Sequence, residues 1–328
     1  MKNIFKNKTI LITGGTGSFG KNFILRLQKN YQNIKKVIIY SRDELKQQEF
    51  SQVLKPSFKR KTRFLLGDVR DFRRFSWAVN DVDIVLHAAA LKQVPAAEYD
   101  PFEFIKTNIV GAQNIIEACL NSKVQKVIAL STDKAASPIN LYGATKLCSD
   151  KLFSSANNVV GKKKIEFSII RYGNVMNSRG SVIPFFKNLK TDFFPITSKN
   201  MTRFNITIDQ AIDMVLWVIK KCRGGEIFVP KLHSYRIQDL TKAIDPNKKI
   251  KIIGLRPGEK MHEEMISSGD SYNTVDLGKY YAILNPLNKK VFSSYKKYKR
   301  MKPGLNYNSK NNKFLKIKDL KNLLNKNK

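Results

Sequence analysis

Tyr142 and Lys146 stand four residues apart in Leu-Tyr-Gly-Ala-Thr-Lys. If a helix starts near Leu141, they share one face. An ammonium beside a phenol lowers its pKa and lets the tyrosinate act as a base towards a hydroxyl. The pattern YxxxK also arises by chance in many helices, so its weight depends on what surrounds it. Just upstream, Ser131-Thr132-Asp133-Lys134 follows the apolar run Val127–Leu130 and brings a carboxyl and an amine to a strand end. Read alone, Thr132 and Asp133 can form a turn or a cap. Lys134 can be one more lysine among 60 basic residues.

The second constellation is Gly14-Gly15-Thr16-Gly17-Ser18-Phe19-Gly20, directly after the run Thr9–Thr13. Its glycines let a strand turn sharply, let backbone N–H groups approach a pyrophosphate and let a helix pack close to the sheet. The helix N-terminus then offers donors and partial positive charge to an anion. Gly14, Thr16, Gly17, Ser18, Phe19 and Gly20 are therefore expected around a dinucleotide. The next strand ends in Tyr40-Ser41-Arg42. An NAD site usually has an acid there; Ser41 and Arg42, with Lys46 a helical turn on, suit the 2′-phosphate of NADP instead. The alternative is a solvated Arg42, with Asp43 as the acid. Asp68 and Val69 end the third strand, where an adenine-contacting acid would sit. Ala88 follows the fourth and leaves room for the cofactor. His87 reads as a packed strand-end histidine.

These groups need a frame. β-rich runs at Thr9–Thr13, Lys36–Tyr40, Thr62–Leu66, Asp83–His87, Lys126–Leu130 and Ile165–Arg171 alternate with helical stretches. The alternation predicts an α/β fold: a Rossmann-type, doubly wound parallel sheet with helices on both faces. One helix start is well marked, with Asp100 as N-cap, Pro101 in the first turn and Glu103 closing a capping box. Phe104, Ile105, Ile109, Ala112, Ile115 and Ile116 then recur at helical spacing. After Arg171 the alternation fails. Residues 1–172 read as the dinucleotide domain and 173–285 mainly as a smaller substrate domain with segments returning to the first. That second part holds a helix at Asp209–Lys221 and a loop carrying Arg256-Pro257-Gly258-Glu259-Lys260. Residues 286–328 read as a basic Lys/Asn-rich tail with a terminal helix at Leu315–Leu324.

Composition narrows the classes. The chain has 328 residues, 42% of them apolar, enough for a sizeable core. Three scattered cysteines give neither a disulfide scaffold nor a zinc site. No apolar run approaches the roughly 18 residues of a membrane helix. No leader precedes the first strand, so the expectation is a reduced, cytoplasmic protein. The net charge of +34 invites a nucleic-acid partner. Residues 281–328 hold 14 Lys and Arg against Asp319 alone, and the rest of the excess is spread along the chain. With no zipper, finger or aromatic RNP strand, the charge reads as composition bias, without a nucleic-acid partner.

GxxGxxG followed by YxxxK resembles the extended short-chain dehydrogenase/reductases that act on nucleotide sugars. The blocks GGTGSFG, SRDELKQ, GDVRD, HAAALKQVPAAEYDPFE, STDKAASPINLYGATKL, RYGNVMNSRGSVIPFF, MTRFNIT, GGEIFVP and IIGLRPGEKMHEEMI narrow this to a family of polysaccharide biosynthesis proteins. They resemble the configuration-inverting UDP-N-acetylglucosamine 4,6-dehydratases of pseudaminic acid biosynthesis. That resemblance implies a set of roles. Retaining relatives carry Thr-Asp-Glu where this chain has Thr132-Asp133-Lys134. The inverting ones use the lysine as base at C5 and the aspartate as acid at C6. By the same resemblance, Tyr142, helped by Lys146, takes the C4 hydroxyl proton while NADP accepts and later returns the hydride. Lys92, Asn174, Ser181, Arg203, Arg256 and Glu259 fall in blocks that hold the UDP-sugar or the nicotinamide side. A homo-oligomer, hexamer or dimer, is expected. The competing readings are a UDP-sugar 4-epimerase or dehydratase/5-epimerase on the same scaffold, and a non-catalytic basic binding protein.

Overall fold

β-Branched and apolar runs pair side by side because helices cover both faces of the sheet they form. In the computed structural model, which describes residues 4–178 and 180–326, six parallel strands come first. They are β1 Thr9–Thr13, β2 Lys36–Ser41, β3 Thr62–Leu66, β4 Ile84–His87, β5 Lys126–Thr132 and β6 Glu166–Tyr172, in the order β3-β2-β1-β4-β5-β6. A seventh, β7 Ile227–Pro230, pairs parallel with β6. The antiparallel strands β8 Thr274–Asp276, β9 Tyr280–Ile283 and β10 Lys299–Arg300 extend that edge in the order β7-β9-β8-β10. Strand order reverses between β1 and β4, the switch point at which such sheets open a crevice beyond their carboxyl ends. Among the described residues no helix is long and apolar enough to cross a membrane.

Three helices position the chemistry: α1 Ser18–Asn30, α2 Glu44–Val53 and α3 Leu141–Ser155. The expected capping box at Asp100 does not form. Asp100 precedes the helical turn Pro101–Ile105, but its side chain makes no cap bond. Glu103 pairs instead with Arg70 at 2.5 Å and Lys106 at 2.9 Å. Two cations outcompete a neutral N–H for the carboxylate.

A second core lies beside the sheet. Met176, Ile183, Phe186, Phe194, Ile196, Met201, Tyr235, Ile237, Leu240 and Ala243 pack together with Leu320 and Leu324. The last two come from the helix Ile317–Lys326, so the expectation of a separate tail after residue 285 is corrected here. That segment supplies β10 to the main sheet and pairs Tyr307–Asn308 with Glu264–Ile266. Its lysines reach water while Leu320 and Leu324 are buried, so the terminal helix expected at Leu315–Leu324 forms at Ile317–Lys326 and is amphipathic.

Candidate active site

The turn from β1 to α1 is shaped by backbone contacts. Gly14 has φ +64°, and a Cβ there would lie 2.9 Å from the Ala89 backbone, so only glycine fits. Gly17 caps α1 with an extended backbone and no side-chain cap bond, which leaves the helix N-terminus without an internal acceptor from its cap. Ala88 and Ala89 N–H groups donate to Thr13 Oγ1, and Thr13 Oγ1 also meets His87 Nδ1 at 2.8 Å. Burial pushes the His87 imidazole down to about 3, so it is a neutral packing residue. This narrow turn between the β1 and β4 ends fits the close approach of a dinucleotide pyrophosphate.

The end of β2 carries the group that would distinguish the two nicotinamide cofactors. Ser41 is buried and its Oγ accepts from Gln47 Nε2 at 2.9 Å. Arg42 is half-exposed, 3.4 Å from Asp68 Oδ2. Asp43 caps α2 by accepting from Lys46 N at 2.9 Å, and its other oxygen takes the Lys46 ammonium. Asp43 is therefore occupied by Lys46, while Arg42 keeps about half of its side chain exposed beside its long contact to Asp68. Lys46, expected at the same 2′-phosphate, is turned to Asp43. Asp68 is clamped by Arg70, which donates from Nε and Nη2 at 2.9 and 2.6 Å. Burial would raise the Asp68 carboxyl, but these bonds hold it below the ordinary value. Val69 packs beneath Gly111.

The reactive groups meet at the end of β5. Thr132 leads into a tight turn at Asp133–Ala135, and its Oγ1 donates to Asp133 Oδ1 at 3.0 Å. Lys134 Nζ donates to the same Oδ1 at 3.1 Å and to Glu263 Oε1 at 2.9 Å. Burial alone would lower the lysine, but the two carboxylates outweigh it and raise its pKa above the usual value. Burial first, and then Glu263, raise the Asp133 carboxyl, so Asp133 is suited to carry a proton. Glu263 is held low: burial would raise it, but Lys134 and Arg203 prevail.

α3 lies against this turn. Asn140 caps it, accepting from Gly143 N at 2.8 Å, a structural role. A Cβ on Gly143 would stand 2.3 Å from the Lys134 carbonyl, so glycine sets the contact between helix and turn. Tyr142 and Lys146 are both buried on the inner face of α3. Lys146 Nζ donates to the Leu130 carbonyl at 2.9 Å. Burial pushes the Tyr142 phenol up to about 12, opposed first by the Lys134 ammonium and then by the Thr132 hydrogen bond. Lys134 is thus the first charge opposing that rise, while Lys146 Nζ is engaged by the Leu130 carbonyl.

A cavity of about 570 Å³ opens over Lys134. Asn174, Ser181, Arg203, Arg256 and Glu259 all line it, as do Gln93, Thr197 and Glu263; Lys92 does not. Glu259 accepts from Thr197 Oγ1 at 2.9 Å and lies 3.6 Å from Arg203, so it orients the arginine. Arg203 in turn reaches Glu263 at 3.5 Å. The sequence pattern does not single out Glu263. It stands between His262 and Glu264, and nothing in their spacing distinguishes the buried acid from the half-buried one beside it.

A parallel sheet reversing at β1/β4, a glycine-rich first turn and the buried Tyr142–Lys146 pair define an extended short-chain dehydrogenase/reductase fold. The chain belongs to the polysaccharide biosynthesis protein family, whose model matches residues 10–285. It is 53% identical over 94% of both chains to the UDP-N-acetylglucosamine 4,6-dehydratase (inverting) of Campylobacter jejuni serotype O:23/36. A UDP-glucose 4-epimerase of Rickettsia bellii is 42% identical, over 98% of this chain and 96% of that one. Among solved structures, Pen from Bacillus thuringiensis superposes with a TM-score of 0.89 at 37% identity, covering 98% of this chain and 99% of that one. The dTDP-glucose 4,6-dehydratase DesIV of Streptomyces venezuelae, solved with NAD bound, shares the fold at a TM-score of 0.68 and 21% identity, over 77% and 86%.

Proposed function

We propose that this chain is an inverting UDP-N-acetylglucosamine 4,6-dehydratase that uses NADP. The observation that carries the reading is the lysine after Thr132-Asp133: Lys134 opens onto the cavity with its Nζ beside a carboxyl group suited to hold a proton. A base and an acid on adjacent residues match the removal of a proton from C5 and the loss of a hydroxyl from C6. Arg203 and Arg256 supply positive charge for a diphosphate. The glycine turn of β1 and α1 would hold the pyrophosphate of the cofactor, and Ser41 with Arg42 its 2′-phosphate.

Bound NADP⁺ supplies the hydride acceptor for C4 and the hydride donor for C6. Tyr142 takes the C4 hydroxyl proton, eased by the Lys134 ammonium. The resulting C4 ketone acidifies the neighbouring C5 proton, which Lys134 removes as a neutral amine. Asp133 gives its proton to the departing C6 hydroxyl. A proton from water then returns to C5 from the opposite face, the proton held by Tyr142 neutralising the hydroxide left, giving a 4-keto-6-deoxy sugar of L-configuration. This product, UDP-2-acetamido-2,6-dideoxy-β-L-arabino-hex-4-ulose, is a precursor suited to pseudaminic acid synthesis.

The test is proton NMR of UDP-N-acetylglucosamine with the protein in D₂O and catalytic NADP⁺. A new C6 methyl signal, deuterium at C5 and L-configured couplings support the reading. A methyl group of D-configuration removes the role given to Lys134. A changed C4 coupling without a methyl group replaces dehydration by epimerisation.

A further inference from the structure

Lys134 cannot take a proton from C5 while it is an ammonium, and the protein holds it as one. Among the described residues, its Nζ is bonded to two side chains, Asp133 at 3.1 Å and Glu263 at 2.9 Å. Asp133 is not free to receive the extra proton, because the proposed reaction needs Asp133 already protonated to release the C6 hydroxyl. Glu263 is left. Its side chain is 1% exposed and its Oε2, like Asp133 Oδ2, has no hydrogen-bond partner among the described residues. A buried carboxylate with an unpaired oxygen is costly as an anion, and protonation relieves that cost.

Building on the dehydratase reading, we propose that Glu263 is the internal proton acceptor that discharges Lys134, a positioning residue that acts through the amine and never on the sugar. One Nζ–H bond of Lys134 breaks and an O–H bond forms on Glu263. The neutral amine then takes the C5 proton, and the C5–H electron pair passes into the C4 carbonyl as an enolate. Lys134 ends as an ammonium again, Glu263 carries one proton more than it began with and Asp133, once the C6 hydroxyl has left, one fewer; transfer back through Lys134, which is bonded to both, resets the pair. The proton that leaves with the C6 hydroxyl comes from Asp133.

The surroundings fit an acceptor that works only in concert with Lys134. While the lysine is charged, it and Arg203, 3.5 Å away, hold Glu263 as the anion. Transfer removes both charges of a buried pair at once, and a sugar ring that displaces water from the cavity favours the neutral pair. The other groups around this cluster are Asp133 on the turn after β5, Lys260 on the loop before Glu263, and Tyr235 from the neighbouring strand, buried beside Arg203 and Lys134. Glu264 is turned away to Ser137 Oγ. The backbone of Glu263 is fixed on both sides, donating to Ser309 Oγ at 2.9 Å and accepting from Ser309 N at 2.8 Å.

The experiment compares full-length wild type, E263Q and E263D with UDP-N-acetylglucosamine and NADP⁺ in D₂O. It follows deuterium at C5, the transient absorbance of reduced nicotinamide, KM and the kcat–pH profile. In E263Q, C5 exchange should fall on the order of 100-fold, while KM and reduced-nicotinamide formation stay near wild type. Its kcat should climb with pH as hydroxide takes over the discharge of Lys134. E263D keeps a carboxylate and should regain part of the rate with the wild-type pH profile. Exchange in E263Q at the wild-type rate overturns the inference. So does a loss of exchange without the rising pH limb, or a rising limb in E263D, which stands as a test on its own if E263Q does not fold. No C5 deuterium with the wild type would overturn the dehydratase reading itself, whereas exchange by the wild type and E263Q alike overturns only the role of Glu263.

Discussion

The two halves of the site are built by different means. The dinucleotide side, from Gly14 to Ala89, is shaped by backbone: a left-handed glycine, an open helix N-terminus and small residues at strand ends. The side proposed for the sugar is shaped by charged side chains gathered from distant segments. Asp133, Lys134, Arg203, Glu259 and Glu263 form one chain of contacts between opposite charges, and Ser309 pins the last of them. Backbone geometry fixes where a phosphate can lie and changes little with the chemistry performed. A charge chain sets which atom holds a proton, so it is where enzymes sharing this sheet can diverge.

Replacing Lys134 by alanine breaks the comparison most sharply. C5 deuterium exchange should fall about 10²- to 10⁴-fold, while NADP⁺ binding, read by titration calorimetry, stays intact. Equal loss of both would mean that the halves are not separable. Leu320→Ala comes next. The side chain is fully buried in the second core, so truncation should cost about 2–5 kcal/mol in a denaturant titration. A neutral result would return residues after 285 to the status of a tail. Arg42→Ala should weaken NADP⁺ by about 1.5–3 kcal/mol, the loss of one charge-assisted hydrogen bond, and leave NAD⁺ little changed. Equal weakening of both cofactors would remove the 2′-phosphate from Arg42.

Near neutral pH the smallest effect is that of His87, and it grows only as the pH falls. His87 titrates at about 3 when folded, against the ordinary 6.5 when unfolded. Below 6.5 the unfolded chain binds the extra proton, so stability is full above that pH and declines as pH falls towards 3. His87→Gln should flatten this part of the stability–pH curve by up to one proton, measured by urea unfolding across the range. An unchanged slope would mean that His87 gains its proton without unfolding.

The sheet and the phosphate turn were legible because their signals are local. Gly14, Gly17 and Gly20 sit on contiguous chain, and β1–β6 alternate with helices at regular spacing. Tyr142 and Lys146 needed only helical periodicity to reach one face. Other features depend on contacts that spacing does not encode. Glu103 left its capping box because Arg70, far away in sequence, reached it. Lys46 turned to the side chain of Asp43, its helix cap, and Lys146 to the Leu130 carbonyl, partners that the motifs do not encode. Glu263 looked like its neighbour Glu264 until the fold buried one and left the other half-buried. The final helix was legible at Leu315–Leu324, but the docking of Leu320 and Leu324 into the second core was not, because partners such as Ile237 and Leu240 lie far away in sequence.

The most direct test of dehydration follows the hydrogen on C4. UDP-N-acetylglucosamine carrying deuterium at C4 is turned over in ordinary water with catalytic NADP⁺, and the product is read by NMR. A 4,6-dehydratase should move the deuterium to the C6 methyl group of a 4-keto sugar within the same molecule. Deuterium returned to C4, with the C6 hydroxyl still in place, would contradict this and make the chain an epimerase.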